Sequence, residues 1–379
     1  MASWVHGDLA VQRKQPDYRI ELWSRTGSRI ADITKLCKNI SFAEERNEAE
    51  ELRFSLDLDA FEDYMINKAG SDPVSNFREG QTEVKVKRDG QYLFGTQLFD
   101  APINLNEDGS AEIEVVCTGY LNFLAHRYPD PTVVYKQVES VEIFYDLIRK
   151  AQSVANGNYG LIIPTSGYYV TGVKRDREYE LFTSSTKLNM QRLTNLESGN
   201  FDFRILADKT VMTYPQLGSP RTDFRLSFDR THFRSTITSA RLNRSANGLY
   251  NQIIGIGSGF GADMLMSIRS DLYSQVEFGL RQYPVQFNEV SIQSTLDENA
   301  QARLEKVKKL LRLPQITLSG KDMPKNGINI GDWIPVEMKG RRLLDDMTGV
   351  YRVERKETQL DENLFEKAVT LYFEKMEVL

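Results

Sequence analysis

Apolar and polar residues alternate with a period of two over much of the first third of the chain. Tyr18, Ile20 and Leu22 alternate with polar neighbours, and Phe54, Leu56 and Leu58 do the same. Val84 and Val86 lead into Asp89-Gly90, after which Tyr92 and Phe94 resume the pattern, and Ile113, Val115 and Cys117 repeat it. A period of two is that of a half-buried strand, and Asp-Gly between two such runs signals a hairpin. The acidic stretch from Glu44 to Glu51 reads as a connection, though its Glu and Ala would also tolerate a helix turn. Many short strands joined by polar turns predict a sandwich or barrel.

Gly119-Tyr120-Leu121 breaks the alternation. A helix is predicted from about Val138 to Val154, with Val141, Tyr145 and Ile148 at helical spacing and Gly157-Asn158 as its stop. A second is predicted at Leu188 to Leu196, ended by Gly199-Asn200. Phe201, Phe203 and Ile205 then alternate, Asp208-Lys209 turns the chain, and Val211 to Tyr214 return. Strand character resumes from Ser235 to Gly261. The clearest helix is predicted from Thr295 to Leu313. Thr295 and Glu298 form a capping-box pattern, Leu296, Ala300, Leu304, Val307 and Leu311 share a face, and Pro314 closes it. Ile316 and Leu318, Trp333 to Met338, Val350 to Val353 and Val369 to Phe373 predict a last β region. No tandem repeat is present.

The 379 residues exceed what one core usually organises, so two to four domains are expected. A hydrophobic fraction of 40% with 27% interspersed charge predicts a folded protein. A net charge of -5 argues against a dedicated nucleic-acid binder but is compatible with a channel that nucleic acid crosses without sticking. Only two cysteines, Cys37 and Cys117, are present, so no disulfide framework is expected and both read as buried thiols. No apolar run approaches the roughly 20 residues of a membrane span. The N-terminus lacks the basic-plus-apolar pattern of a signal peptide, which predicts synthesis in a reducing cytoplasm.

Candidate chemistry is sparse. Gly255, Gly257, Gly259 and Gly261 superficially suit a dinucleotide-binding turn, but that motif needs a parallel strand–turn–helix unit and the flanks read as antiparallel. The favoured reading is structural: alternating glycines leave one strand face bare for close backbone approach, with Ile254 and Ile256 turned to a core. His6, His126 and His232 are far apart, which disfavours a metal site. Asp57 and Asp59 read as the solvent side of a strand, Asp345-Asp346 as a turn, and Lys306, Lys308, Lys309 and Arg312 as a solvated helix face. No catalytic residue, cofactor or metal is assigned.

The order of these pieces resembles the tail-hub or tail-associated proteins of long-tailed phages, and more distantly the central hub of contractile-phage baseplates. Arg46-Asn47 leading into Leu52 to Leu56 resembles the opening of a first barrel, and Asp89-Gly90 through Phe94-Gly95 its hairpin. Asn251 with the Gly255 to Gly261 strand resembles the start of a second barrel, and Thr295-Leu296 a helix start before its return. Gly331-Asp332 with Ile334 and Val336, then Tyr351-Arg352-Val353, resemble its closing strands.

The resemblance implies a mainly β chain with α+β insertions and two tail-tube-like antiparallel β-barrel domains. The expected division is 1–118 for the first barrel, 119–234 for an inserted α+β domain, and 235–261 with 313–379 for the second barrel. The remaining 262–312 would be a helix-bearing insertion packing with 119–234. The implied function is a non-enzymatic hub at the distal end of a phage tail, in the virion. Three copies would form a ring with a channel for DNA passage. Implied partners are further copies of the chain, a tail-tube or distal tail protein, a tape-measure protein and a fibre or receptor-binding protein. The chain stops at Leu379 directly after the last strand, which makes intrinsic wall hydrolysis doubtful. The alternative is a tail-tip enzyme that degrades cell wall, or a carbohydrate-binding protein.

Overall fold

The computed structural model describes residues 15–196, 199–229, 234–259, 261–287, 290–324, 326–340 and 347–375. The protein is mainly β, with predominantly antiparallel sheets. Its dominant element is one 15-stranded sheet. The main path runs Arg234–Ser235, Leu226–Asp229, Trp333–Lys339, Gly349–Leu360, Lys38–Glu45, Glu51–Asp57, Ala111–Gly119, Gln91–Asp100, Glu83–Arg88, Tyr18–Trp23 and Arg29–Asp32. Strand Glu366–Lys375 branches from Gly349–Leu360 and carries Leu311–Ser319, which pairs with Ser239–Ser245.

Two separate barrels were expected, and among the described residues no sheet closes into one. The two β-rich halves instead share hydrogen bonds. Strand Lys38–Glu45 pairs antiparallel with Gly349–Leu360, from Arg355↔Glu45 to Gln359↔Ser41. Each half covers an edge that the other would otherwise leave unpaired.

The alternating residues form the predicted first core. Ile20 pairs with Val86 and Leu22 with Val84, and all four are buried beside Leu56, Phe94, Val115 and Cys117. Leu360 enters this core from the C-terminal half. Asp89 and Gly90 have φ of 51° and 79°, the left-handed pair that a tight hairpin turn requires. Helix Leu58–Asn67 was missed in the sequence. Asp57 ends strand Glu51–Asp57, and its side chain accepts from the Ala60 N–H and caps this helix, while Asp59 lies in the helix's first turn rather than on the strand. Phe61 and Met65 bury its inner face. Cys37 and Cys117 are both free and buried.

A second core lies within residues 120–211. The predicted helix is Ser140–Ser153, burying Val141, Phe144, Tyr145 and Ile148, and the next is Thr186–Thr194. The hairpin Asp202–Ile205 with Val211–Tyr214 forms as read, Asp202 opposite Tyr214. A third core gathers Leu226, Ile316, Ile334, Val353 and Leu371.

The last helix differs from its prediction. It spans Gln293–Val307 with Ile292 at the N-cap and no side-chain cap, so Thr295 and Glu298 do not act as a capping box. Leu296, Ala300 and Leu304 are its buried residues. Lys308 is the C-cap, and Leu311 and Arg312 belong to strand Leu311–Ser319. Pro314 lies in that strand rather than ending the helix. It pairs with Leu242 on one side, and the neighbour on the other side begins pairing only at Gln315. A residue without an N–H is tolerated where one flank has no ladder.

Replacing Leu56, which is fully buried in the first core, by Ala should destabilise the protein by about 3 kcal/mol through lost burial and an unfilled cavity. Urea unfolding followed by circular dichroism would check this; a change below about 1 kcal/mol would contradict the packing described.

Candidate functional site

The glycine strand was expected in the second barrel. Strand Gln252–Ile256 lies instead in a separate three-stranded sheet. It is antiparallel to Met266–Ser270 and parallel to Gln282–Gln286. Its buried face is the one carrying Ile253 and Gly255, while Ile254 and Ile256 are half-buried on the other, opposite to the expected orientation. The last helix explains the reversal. A Cβ on Gly255 would lie 3.2 Å from the Ala300 Cβ, and one on Gly257 would lie 3.1 Å from Leu296 Cδ2 and 3.0 Å from the Val290 carbonyl oxygen. The bare face therefore receives a helix of the same chain. Gly259 has φ +109° against the Asp263 carbonyl, and Gly261 opens the 3₁₀ turn Gly261–Asp263.

Of the other singled-out residues, His126 ends the 3₁₀ helix Tyr120–His126. His6, His232, Asp345 and Asp346 lie outside the described residues. Among the described residues, no group of three or more His, Cys, Asp or Glu could hold a metal ion.

The densest chemistry lies where the two halves of the large sheet meet the second core. Strand Lys38–Glu45 ends in the turn carrying Arg46 and Asn47, and Asn47 takes φ 56°. The Arg46 guanidinium spreads over three carboxylates. Nε donates to Glu354 at 2.7 Å, Nη1 to Asp202 at 3.0 Å and Nη2 to Glu374 at 3.2 Å. Asp202, on the inserted hairpin, also accepts from the Leu217 N–H at 2.7 Å and from Arg352 Nη2 at 2.5 Å. Asn47 bonds the same hairpin twice, donating to Asp202 at 3.2 Å and accepting from the Phe203 N–H at 2.8 Å. One carboxylate thus ties the first half (Arg46, Asn47), the insertion and the second half (Arg352) together.

A second set of ion pairs lies alongside. Arg204 donates to Glu44 at 2.8 Å, and Lys356 reaches the other Glu44 oxygen at 2.6 Å. Arg221 grips Asp223 through two bonds of 2.8 Å and Asp332 at 3.1 Å. Asp332 accepts from the Ser219 and Asn329 N–H groups. Here the backbones of Gly218 and Gly331 touch. Gly218 has φ +77°, and a Cβ on it would lie 2.0 Å from the Gly331 carbonyl carbon. Only glycine admits that approach.

A cavity of about 260 Å³ lies beside these ion pairs, lined among others by Glu44, Glu45, Glu48, Glu50, Arg204 and Asp332. Burial alone would raise the Asp202 and Glu44 pKa values. For Asp202 the Leu217 N–H with Arg352 and Arg46 outweighs burial; for Glu44 Lys356 and Arg204 do so, and both carboxyls fall below their ordinary values. Glu50 goes the other way. Burial, only partly offset by Arg204 and reinforced by Glu44 and Glu48, pushes it up to about 7. The sequence reading passed over this site because its members are scattered from residue 44 to 374. Arg46-Asn47 and Tyr351-Arg352-Val353 marked two of its edges.

The overall fold is similar to those of solved tail proteins. The chain is similar to a tail protein from Neisseria meningitidis MC58, with a TM-score of 0.61 and 15% identity over 94% of this chain and 97% of that one. It is also similar to the 43 kDa tail protein of prophage MuSo2 from Shewanella oneidensis, with a TM-score of 0.63 and 13% identity over 95% and 98%. Prophage tail protein gp18 from Listeria monocytogenes EGD-e follows, with a TM-score of 0.55 and 11% identity over 95% of each chain. No protein-family model matches the chain, and no curated protein sequence matches it.

Asp202→Ala should leave the Arg46 and Arg352 charges facing each other across a buried gap and cost about 3–5 kcal/mol. The depressed Asp202 and Glu44 pKa values add a pH signature. Their stabilisation is present above the ordinary carboxylate range and is lost as pH falls through the depressed folded-state values. Thermal unfolding from pH 5 down to pH 2 would check both, because the variant should lose part of the acid dependence seen in the wild type. Gly257→Val should loosen the small sheet through contact with Leu265, Val290 and Leu296. Faster hydrogen exchange confined to residues 252–307 would report that; unchanged exchange would contradict the helix contact.

Proposed function

We propose that the chain is a structural hub of a phage tail, joining the distal end of the tube to tail-tip components. The observation that carries this reading is a fold likeness spanning nearly the whole chain and nearly the whole of three tail proteins. In this reading each half of the large sheet is a tube-like unit, and three copies present six such units to a six-fold tube by closed cyclic contacts. The inserted unit of the second core and the glycine-strand unit project from the ring, the latter beside the former. Burial and Arg177 lower the pKa of Arg175 on strand Lys174–Tyr179, and Glu298 of the last helix is near enough to offset part of that. Tube, tape-measure and fibre proteins are the partners, and DNA crosses the channel in transit.

The junction chemistry supports a scaffold over an enzyme. A hydrolytic pair needs carboxylates free to exchange protons with substrate. Here Glu44 is held by Arg204 and Lys356, and Asp202 by Arg46 and Arg352. A phage lacking this gene should make no complete tails by electron microscopy, and Asp57→Asn in the complementing copy should restore them. Purified protein should release no sugar or peptide from isolated cell wall; turnover abolished by a single carboxylate substitution would establish the enzyme alternative.

A further inference from the structure

Four glutamates line the junction cavity, and their counter-ions are unevenly shared. Glu44 has Arg204 at 2.8 Å and Lys356 at 2.6 Å, Glu45 has Arg355 at 2.9 Å, and Glu48 has Lys187. Among the described residues, the counter-ion of Glu50 is Arg204 Nε alone, at 3.8 Å, and that guanidinium is already committed to Glu44; its carboxyl otherwise bonds its own backbone N–H. Glu50 is nonetheless buried. One carboxyl oxygen is pressed on the bare Cα of Gly119: a Cβ there would lie 2.4 Å from Oε2. The Gly119 N–H donates to the Glu50 carbonyl at 2.7 Å. Glu50 therefore sits on the seam where the large sheet passes into the 3₁₀ helix of the second core.

We propose that Glu50 is a proton-operated latch: neutral, it seats the inserted unit of residues 120–214 against the large sheet, and ionised, it drives the two apart. Every element around it carries charge that decides the sign. The preceding strand Lys38–Glu45 brings Glu44 and the turn after it Glu48, both repelling an anion, and the inserted hairpin brings Arg204. Tyr120 faces it from the 3₁₀ helix with its hydroxyl already donating to Glu83 at 2.9 Å, and Glu83 is paired with Lys209. Lys187 from helix Thr186–Thr194 and Lys356 from strand Gly349–Leu360 are spent on Glu48 and Glu44. Across the cavity Asp332 is paired with Arg221. Burial, with Glu44 and Glu48 repelling an anion and Arg204 offsetting only part of it, pushes the Glu50 carboxyl up to about 7, and among the described residues these ion pairs leave no further cation beside it. The folded-state value is raised, so the latch is fully closed below the ordinary glutamate pKa. It weakens as pH rises towards 7 and gains no further looseness above that. The inference concerns the isolated chain and does not depend on its place in a tail.

Hydrogen exchange of the purified full-length chain, corrected for intrinsic rates, tests it at pH 5.0, 6.0, 7.0 and 8.0. Amides of 119–126 and 202–214 should lose protection by about tenfold per pH unit between 5 and 7 and then level off, while those of 84–88 and 113–117 stay constant. Glu50→Gln, which keeps the shape and removes the charge, should abolish the dependence. Flat protection in the wild type, or the same slope in Glu50→Gln, would overturn the proposal. If that variant does not fold, Glu48→Gln decides. Removing one repelling charge should move the levelling point to lower pH, and an unmoved point would overturn the latch.

Discussion

The architecture depends on one buried carboxylate. Asp202 takes hydrogen bonds from Arg46 of the first half, from Arg352 of the second, and from the Leu217 backbone of the connection between insertion and sheet. Removing a carboxylate from between two buried guanidinium groups costs more than the ion pairs contribute net, because charges stay behind without water. The network is therefore better understood as fixing register than as adding stability. It holds the inserted hairpin on the sheet from both halves, and Asn47 adds to that seating through the Phe203 N–H.

The same requirement explains the conformational exceptions nearby. Asn47 takes a left-handed φ so that Arg46 and its own amide both face the hairpin. Gly218 and Gly331 let two backbones touch where a methyl group would collide. Strand Lys38–Glu45 then enters the C-terminal sheet through Gly349–Leu360, so the two halves become neighbours in one hydrogen-bonded surface.

Local features were legible in the sequence where they rest on local physics. The alternation of Tyr18, Ile20 and Leu22, the Asp89-Gly90 turn, the Ser140–Ser153 helix and the Asp202–Ile205 hairpin each follow from periodicity or turn chemistry. Non-local facts were not legible. Alternating glycines announced a close approach, but not whether the visitor would be another subunit or the chain's own Leu296 and Ala300. Pro314 read as a helix stop because a sequence does not say which strand edge lies unpaired. The junction was invisible because Glu44, Arg46, Asp202, Arg352 and Glu374 share no spacing. Helix Leu58–Asn67 was hidden because Leu58 continues the strand alternation of Phe54 and Leu56 before the chain turns helical.

In the proposed role, three copies form the ring that ends a tail tube, with the two halves of each sheet alternating around the axis. A cryo-electron microscopy map of the intact tail tests it directly. The account predicts three copies at the distal end, each placing both halves against the six-fold tube and both inserted units away from it. Six copies, a single copy, or density for this chain away from the tube end would contradict it.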